Sequence, residues 1–375
     1  MKNLSSKFGM AAVAVALTFT ACETPQPNDN SYTVPTTYNF DNVSYSGQTA
    51  RLNMMAEITT YIKTAHVANA PALSSVKLQD MYGDNTGNHF TDAALNTSTK
   101  QLKNKTVVTA QPKFDSYLAA AALTSLNTNK TAASGQAGIA SNNAGTKHYL
   151  LNANGIEWAQ IIEKGLMGAC FYYQGTAVYM GDSKMNVDNT IVNAGEGTDM
   201  EHHWDEAFGY FGVPTDFPTN TSGLVFWGKY CNKHESVFPL NQKMMDGFLK
   251  GRAAISAKDI PTRDAQITEL RKQWELVVAA TAIYYLNNAK DNLGSDAAAA
   301  AHELSEVFGF IMSLKYGAGT GSITTTQVDA ILTALFGNSD PFIANTYNVT
   351  ATKIEAAKTA LTGYFADLDP VKNTL

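Results

Sequence analysis

Two stretches of this chain, beginning at His202 and at His302, share the pattern His-x-x-x-Glu-x-Phe-Gly-aromatic. Residues four apart lie on the same face of an α-helix, with Cβ atoms about 5–6 Å apart. His202 would then stand beside Glu206, and His302 beside Glu306. Because the pattern occurs twice, the fold must provide two helices with similar surroundings, and this constrains it more than any other feature of the sequence.

The segments before the two stretches are also similar, since Trp158 and Trp274 are each followed by a Tyr-Tyr pair. Apolar residues recur with helical period through most of the chain, and the alternating β-branched runs typical of strands are scarce. We therefore predict an all-α helical bundle. An ancient duplication would divide its single domain, 47–375, into two pseudo-symmetric halves of about 47–220 and 221–375.

Helix boundaries follow from capping residues, prolines and glycines. The helix with the first pattern is expected to be capped by Thr198 or Asp199 and to end at Pro214 and Pro218. Residues 131–147, rich in Gly, Ala, Ser and Asn, are expected to form a long surface loop. The other predicted helices cover about 48–70, 114–126, 155–180, 222–234, 240–257, 264–293, 296–316, 325–336 and 350–368, and 73–81 is a shorter apolar segment.

The N-terminus has the features of a bacterial lipoprotein signal. Two lysines precede a short apolar stretch, and small residues then precede Cys22. The apolar stretch is too short to span a membrane as a helix. We predict a signal peptide over 1–21, lipid attachment at Cys22 and a flexible tether over 22–46. The lipid would anchor the domain at the outer membrane or cell surface, with the periplasmic face as the alternative.

Charge and cysteine content restrict the possible partners. The formal net charge is −6, and removal of Lys2 and Lys7 with the signal peptide would make it more negative. This argues against a nucleic-acid partner, which would require a basic face. Only Cys170 and Cys231 remain after Cys22, and we expect them not to form a disulfide. Cys170 lies in an apolar run and is expected to be a buried core residue.

An imidazole and a carboxylate on one helix face can share a metal ion, hydrogen-bond to each other or act as an acid–base pair. If the two halves bring their motifs together, the ligand set becomes His202, Glu206, His302 and Glu306. Such a set suits iron, zinc or manganese. His203 with Glu206 is an alternative pair, and a local salt bridge is the purely structural interpretation. The residues expected around the ligands are Trp204, Asp205, Tyr172 and Tyr284.

Known catalytic signatures are mostly absent. The stretch from His302 to Glu306 begins like a zincin helix, but it ends in Glu where the second His is required. The sequence has no Gly-x-Ser-x-Gly elbow, no phosphate-binding loop and no Cys-x-x-Cys. The other histidines have no ligand spacing, so we interpret them as surface or structural residues: His66, His89, His148 and His234.

The lipoprotein signal, the helical pattern and the His203-x-x-Glu206 pair resemble the imelysin-like lipoproteins of bacterial envelopes. The run His-His-Trp-Asp-Glu-Ala-Phe-Gly-Tyr-Phe-Gly is more similar to a family of uncharacterised lipoproteins found mainly in Bacteroidetes. The resemblance implies a two-bundle fold, an association with iron or haem acquisition, and a metal role for His203 and Glu206. This chain departs from the imelysin pattern at Glu201, where imelysins usually have Gly.

Three functions are compatible with these features. The leading hypothesis is a membrane-tethered envelope lipoprotein without catalytic activity that binds iron, another divalent metal or an iron-bearing ligand, with an envelope transport protein as the expected partner. The second is a metallopeptidase-like hydrolase with Glu206 as general base. The third is an interaction module in which both motifs lock helices together.

Overall fold

A computed structural model of the chain describes residues 32–317, 319 and 321–375. The predicted signal peptide, Cys22 and the first part of the tether lie outside the described residues. Most described residues are helical and few are in strands, which confirms the all-α prediction. Within the described residues, no helix combines the length and the apolarity needed to cross a membrane.

The chain runs through thirteen labelled α-helices and two short β-hairpins in the described residues. The strands pair antiparallel, β1 with β2 and β3 with β4. Helix α5 continues directly into a π-helix, Met167–Tyr179. The elements are α1 (Ser46–Lys63), α2 (Ser75–Gly83), α3 (Ala93–Asn96), α4 (Gln111–Thr124), β1 (Gly138–Ser141), β2 (His148–Leu151), α5 (Trp158–Leu166), α6 (Asp182–Met185), β3 (Val192–Asn193), β4 (Gly197–Thr198), α7 (Asp199–Phe211), α8 (Phe226–Lys233), α9 (Leu240–Ser256), α10 (Ile260–Asn292), α11 (Ala297–Ser313), α12 (Thr325–Phe336) and α13 (Ala351–Tyr364).

Helix α10, with 33 residues, is the central element of the core. It begins where the Asp259 side chain accepts a hydrogen bond from the Thr262 amide, as a helix cap. Trp274, Val278 and Ile283 are completely buried along its length. Burial of each such side chain contributes about 1.5–3 kcal/mol. Because α10 packs against both α9 and α11, it joins parts of the chain that would otherwise bury little apolar surface.

Helix α7 carries the first motif, and its start was predicted correctly. The Thr198 side chain caps it by accepting from the Glu201 amide, and the Glu201 carboxylate accepts a hydrogen bond from the Thr198 amide, which completes a capping box. The helix ends at Gly212, not at the prolines that follow. Gly212 adopts φ +80°, a left-handed conformation that glycine tolerates and that stops a helix.

The two motif helices have different neighbours. Helix α7 packs mainly on the π-helix, α1 and α9, whereas α11 packs mainly on α10 and α5. Residues 32–375 form one compact unit with an almost continuous apolar core. Helix α5 of the expected first half packs on α11 of the expected second half, so the two segments contact each other within this unit. Their pseudo-symmetry stays a prediction.

The expected long loop over 131–147 is wrong in part, because β1 lies within it. Ile139 of β1 pairs with Leu150 of β2, and both side chains are buried. The Asn142 side chain accepts hydrogen bonds from the amides of Thr146 and Lys147 and so fixes the turn. The apolar pair and the side-chain-capped turn order a segment whose composition is typical of a loop.

The described part of the expected tether belongs to the folded unit. The Tyr38 ring is buried and stacks on Phe208 of α7, with ring centroids 3.8 Å apart. Its backbone amide donates a hydrogen bond to the Thr215 carbonyl at 2.7 Å. The Tyr32 hydroxyl donates to Asp259 at 3.1 Å. From Tyr32 onward, this segment is therefore held against α7 and the start of α10.

Candidate functional site

The inward side of the first motif forms a buried polar network. Asp205 Oδ1 accepts hydrogen bonds from the Tyr38 hydroxyl at 2.7 Å and from Arg252 Nε at 3.0 Å. Arg252 also pairs with Glu201 at 2.7 Å. Burial raises the pKa of Asp205 to about 6, although the guanidinium opposes that shift. The network joins α7 to α9 and to the N-terminal segment.

Trp204, expected near the ligands, is instead a packing residue. Its side chain is completely buried, and its Nε1 donates to the Phe248 carbonyl at 3.0 Å. A buried indole needs such a partner for its N–H group. Trp204 therefore fastens α7 to α9, as Arg252 does one turn further along α9.

The outward side of the first motif carries its potential ligands. Glu206 Oε1 accepts from Gln48 Nε2 at 2.7 Å and from the Tyr179 hydroxyl at 3.0 Å. The second oxygen, Oε2, lies 3.9 Å from His202 Nε2. The predicted His202/Glu206 neighbourhood is thus present, but half of the carboxylate already connects α7 to α1 and to the π-helix.

His203 has both ring nitrogens engaged by one residue. Its Nδ1 donates to the Lys184 carbonyl at 2.9 Å, and its Nε2 accepts from the Lys184 ammonium at 3.2 Å. Burial lowers the pKa of His203, which favours the neutral tautomer that this arrangement needs. A metal ion could bind His203 only by displacing one of these contacts.

In the second motif, Glu306 pairs with a buried lysine of α5. Lys164 Nζ lies 3.5 Å from Glu306 and 2.7 Å from Glu163. Burial lowers the pKa of Lys164, but the two carboxylates outweigh it and raise this pKa above its usual range. The same ammonium lowers the pKa of Glu163 to about 2 against the cost of burial. Glu306 therefore connects α11 to α5.

His302 does not contact the residues of the first motif. Its Nδ1 donates to Glu157 Oε2 at 2.6 Å, and its ring stacks on Tyr149 with centroids 4.4 Å apart. The other oxygen of Glu157 lies 3.9 Å from His66 Nδ1. Burial opposes protonation of His302, but Glu157 raises its pKa to about 9. Burial also raises the pKa of Glu303 to about 7.

Sequence reasoning missed most of this cluster. His66 was interpreted as a surface or structural residue, and Glu157 and Tyr149 were not singled out. His66 lies before α2, Glu157 lies immediately before α5, and Tyr149 lies in β2. No helical spacing therefore relates them to His302. The one available signal is a lone acidic residue, Glu157, immediately before an apolar helix.

The glycines of the two motifs, Gly209 and Gly309, both lie where another part of the chain packs too closely for a side chain. A Cβ at Gly209 would lie 2.7 Å from the Cβ of Tyr45 and 2.9 Å from that of Gln48. A Cβ at Gly309 would lie 2.5 Å from the Cβ of Lys164. Gly209 therefore lets α1 and Tyr45 lie close to α7, and Gly309 lets α5 lie close to α11.

The predicted four-ligand set is not assembled. The hydrogen bonds and ion pairs of His202 and Glu206 involve different partners from those of His302 and Glu306. In the part of the chain that the structure describes, no group of three or more His, Cys, Asp or Glu side chains is arranged to hold a metal ion. The residues present do not fit the iron site that the sequence suggested.

The remaining expected pocket residues lie elsewhere. Tyr172 is buried near Trp274 and lines a cavity of about 430 Å³ with Arg271 and Glu275. Tyr284 lies under the Lys233 ammonium, 3.9 Å from the ring centroid. Neither tyrosine contacts a motif histidine. Cys170 and Cys231 are both buried free thiols.

The sequence suggested a ligand site at the two motifs, but no motif residue lines the cavities described for this structure. One of about 370 Å³ lies where α4, the end of α11, α12 and the loop after α12 meet. Tyr117, Phe342, Lys113 and Asp340 are among its lining residues. A ligand would therefore find space away from both motifs.

Comparison with known proteins identifies one family. The model of the family described as "Domain of unknown function (DUF4856)" matches residues 35–357, most of the chain. No curated protein and no solved structure matches the chain. The expected membership of an uncharacterised family is confirmed, while the imelysin resemblance stays a prediction.

Proposed function

The chain belongs to the DUF4856 family, and we propose that it is a lipid-tethered binding protein of the bacterial envelope without catalytic activity. In this proposal its two His-x-x-x-Glu motifs hold helices together and do not carry the ligand. This proposal keeps the envelope location of the lipoprotein hypothesis and the helix-locking role that the interaction-module hypothesis gives to the two motifs.

The observation that carries the proposal is the same in both motifs. The glycine lets another helix approach, and the glutamate pairs with a side chain of that helix. Gly209 and Glu206 face α1, where Gln48 supplies both the close Cβ and the hydrogen bond. Gly309 and Glu306 face α5, where Lys164 supplies the close Cβ and an ion pair with Glu306. The shared pattern therefore encodes a helix-to-helix contact.

Iron or another divalent metal, favoured by the sequence, is the weaker candidate. At the first motif, the ring nitrogens of His202 and the Oε2 atom of Glu206 make no hydrogen bond within the described residues, so these two side chains could supply one nitrogen and one oxygen to a shared ion. Sites for such metals usually have about four ligands. A role beside an envelope iron transporter depends on this same metal and is weaker for the same reason.

A metallopeptidase role is weaker still. A general base beside a metal-bound water needs a free carboxylate oxygen and a metal held by other residues. One oxygen of Glu206 already accepts two hydrogen bonds. The donors that would hold the metal are not gathered around it.

The test is metal content and stability of the full-length protein compared with the His202→Ala/His302→Ala variant. We expect less than about 0.1 metal ion per chain in both, and a melting temperature lower by several degrees in the variant, since it loses the His302–Glu157 pair. His89→Ala, at a partly exposed histidine outside both motifs, is the control. Stoichiometric iron that the double variant loses would contradict the proposal.

A further inference from the structure

The cavity between α4, α12 and the loop after α12 has the features of a ligand site, although neither motif reaches it. Its volume is about 370 Å³. Small-molecule sites usually have volumes of about 300–1,000 Å³. The lining comes from four separate segments of the chain, and the helices among them fix most of its shape.

One wall of the cavity is aromatic. Trp158, Tyr117 and Phe342 pack on one another, with centroid distances of 4.9 Å between Trp158 and Phe342 and 5.6 Å between Tyr117 and Phe342. Trp158 and Tyr117 are buried, but the Phe342 side chain is 43 % exposed. An exposed ring supported from behind by two buried rings offers a fixed apolar surface.

The backbone holds Phe342 in this position. Its amide donates to Asp340 Oδ1 at 3.0 Å, and the Ala344 amide donates to the Asp340 carbonyl at 2.8 Å. The Asn154 side chain donates to the Phe342 carbonyl at 3.3 Å. These contacts fix the loop, so a ligand would lose little free energy in ordering it.

The polar lining carries no excess charge. Two lysines, Lys113 and Lys315, face two aspartates, Asp329 and Asp340. Lys315 pairs with Asp329, whereas Lys113 makes no ion pair within the described residues. The hydroxyl of Tyr117 likewise has no hydrogen-bond partner in the described part of the chain. A charged ligand would meet no net opposite charge, but a ligand with several hydroxyl groups would meet both donors and acceptors.

We propose that this cavity binds a neutral polyhydroxylated ligand of the size of one or two sugar rings. The C–H face of the ring packs on Phe342, where it covers exposed aromatic surface. Its hydroxyl groups exchange hydrogen bonds with Tyr117, Lys113 and Asp340. The inference rests on the proposed binding function but is independent of the two motifs.

The test is a titration of the full-length protein in a detergent without a sugar head group. The probes are glucose, galactose, N-acetylglucosamine, maltose and cellobiose, and the readouts are calorimetry and tryptophan fluorescence, to which Trp158 contributes. We expect saturable binding of at least one probe, with a Kd on the order of 1 mM.

Two variants locate that binding. Phe342→Ala should weaken it about tenfold or more, and Tyr117→Phe, which keeps the ring, about threefold to tenfold. Ile343→Ala is the control, because this neighbouring residue is exposed outside the lining and should leave the Kd unchanged.

Three results would overturn the inference. They are no saturable binding up to about 50 mM of any probe, equal binding by wild type and Phe342→Ala, or tighter binding of a charged probe such as glutamate, lysine or inorganic phosphate. None of them changes the metal content or the melting temperature of the His202→Ala/His302→Ala variant, so a failure here is distinguishable from a failure of the proposed motif role.

Discussion

His302 donates a 2.6 Å hydrogen bond to Glu157, a carboxylate that lies 145 residues earlier and has no exposed surface. The pair joins α11 to the start of α5, and His66 stands on the other side of the same carboxylate. A buried carboxylate with a protonated imidazole stabilises the fold only while both partners are present. Loss of either partner should therefore destabilise the fold.

Removal of the Glu157 charge should destabilise the protein. Glu157→Gln leaves His302 without its anionic partner, and we expect the free energy of unfolding to fall by about 3 kcal/mol. Urea denaturation at pH 7 measures this change. Glu196→Gln, at an exposed hairpin residue, is the matched control and should change stability by less than about 0.5 kcal/mol. Equal stability of the two variants would contradict the pairing.

Stability should fall as pH rises between about 6.5 and 9. The pKa of His302 is raised to about 9 in the folded protein, against about 6.5 when unfolded. Between these two pKa values the folded state binds a proton that the unfolded state does not bind. The stability that this proton contributes is therefore complete below about pH 6.5 and is lost as the pH rises through about 9. Denaturation at several pH values checks this, with a flatter profile expected for His302→Gln. A folded-state pKa near 6.5 by NMR would refute it.

The contacts of the first motif predict a graded loss of stability. Asp205→Ala leaves the buried Arg252 guanidinium without one carboxylate and should cost about 3–5 kcal/mol. Tyr38→Phe removes one hydrogen bond to Asp205 but keeps the stacking on Phe208, so about 1 kcal/mol is expected. Thermal denaturation of both variants measures the order. If Asp205→Ala left the melting temperature unchanged, the network would contribute nothing to stability.

Cys22 should determine where the protein resides in the cell. Cys22→Ala removes the expected acylation site, so the protein should move from the membrane fraction to the soluble fraction. Fractionation and labelling with an alkyne fatty acid measure the two effects. Ser6→Ala, elsewhere in the predicted signal peptide, is the control. Labelling that persists in Cys22→Ala would contradict the proposed anchor.

The sequence was most informative where the determinants are local. Thr198, expected as the cap of α7, accepts a hydrogen bond from a backbone amide of that helix. The end of α12 at Phe336 and the stop of the α11 helix near Tyr316 were also predicted. Capping and helical period depend on residues within about one or two turns, and a single sequence contains them.

Contacts between distant segments could not be predicted in the same way. Glu157 and His302 lie on different elements, and their spacing has no period. Tyr38 lies in a Pro- and Asn-rich segment whose composition is typical of a tether, yet Phe208 and Asp205 bind it. The sequence pattern that the two motifs share does not mean that they lie close together. In each motif the glycine and the glutamate contact another helix, α1 for the first motif and α5 for the second.

If the shared motif encodes close helix contacts, substitution of its glycines should show this most directly. The free energy of unfolding should fall by about 1–3 kcal/mol for Gly209→Ala and for Gly309→Ala, because each new Cβ would lie within 3 Å of a neighbouring side chain. Gly363→Ala is the control, since a Cβ there meets nothing within 4 Å in helix α13, and it should leave stability equal or higher by up to about 1 kcal/mol. The same change at all three positions would show that the motif glycines are not needed for close helix packing.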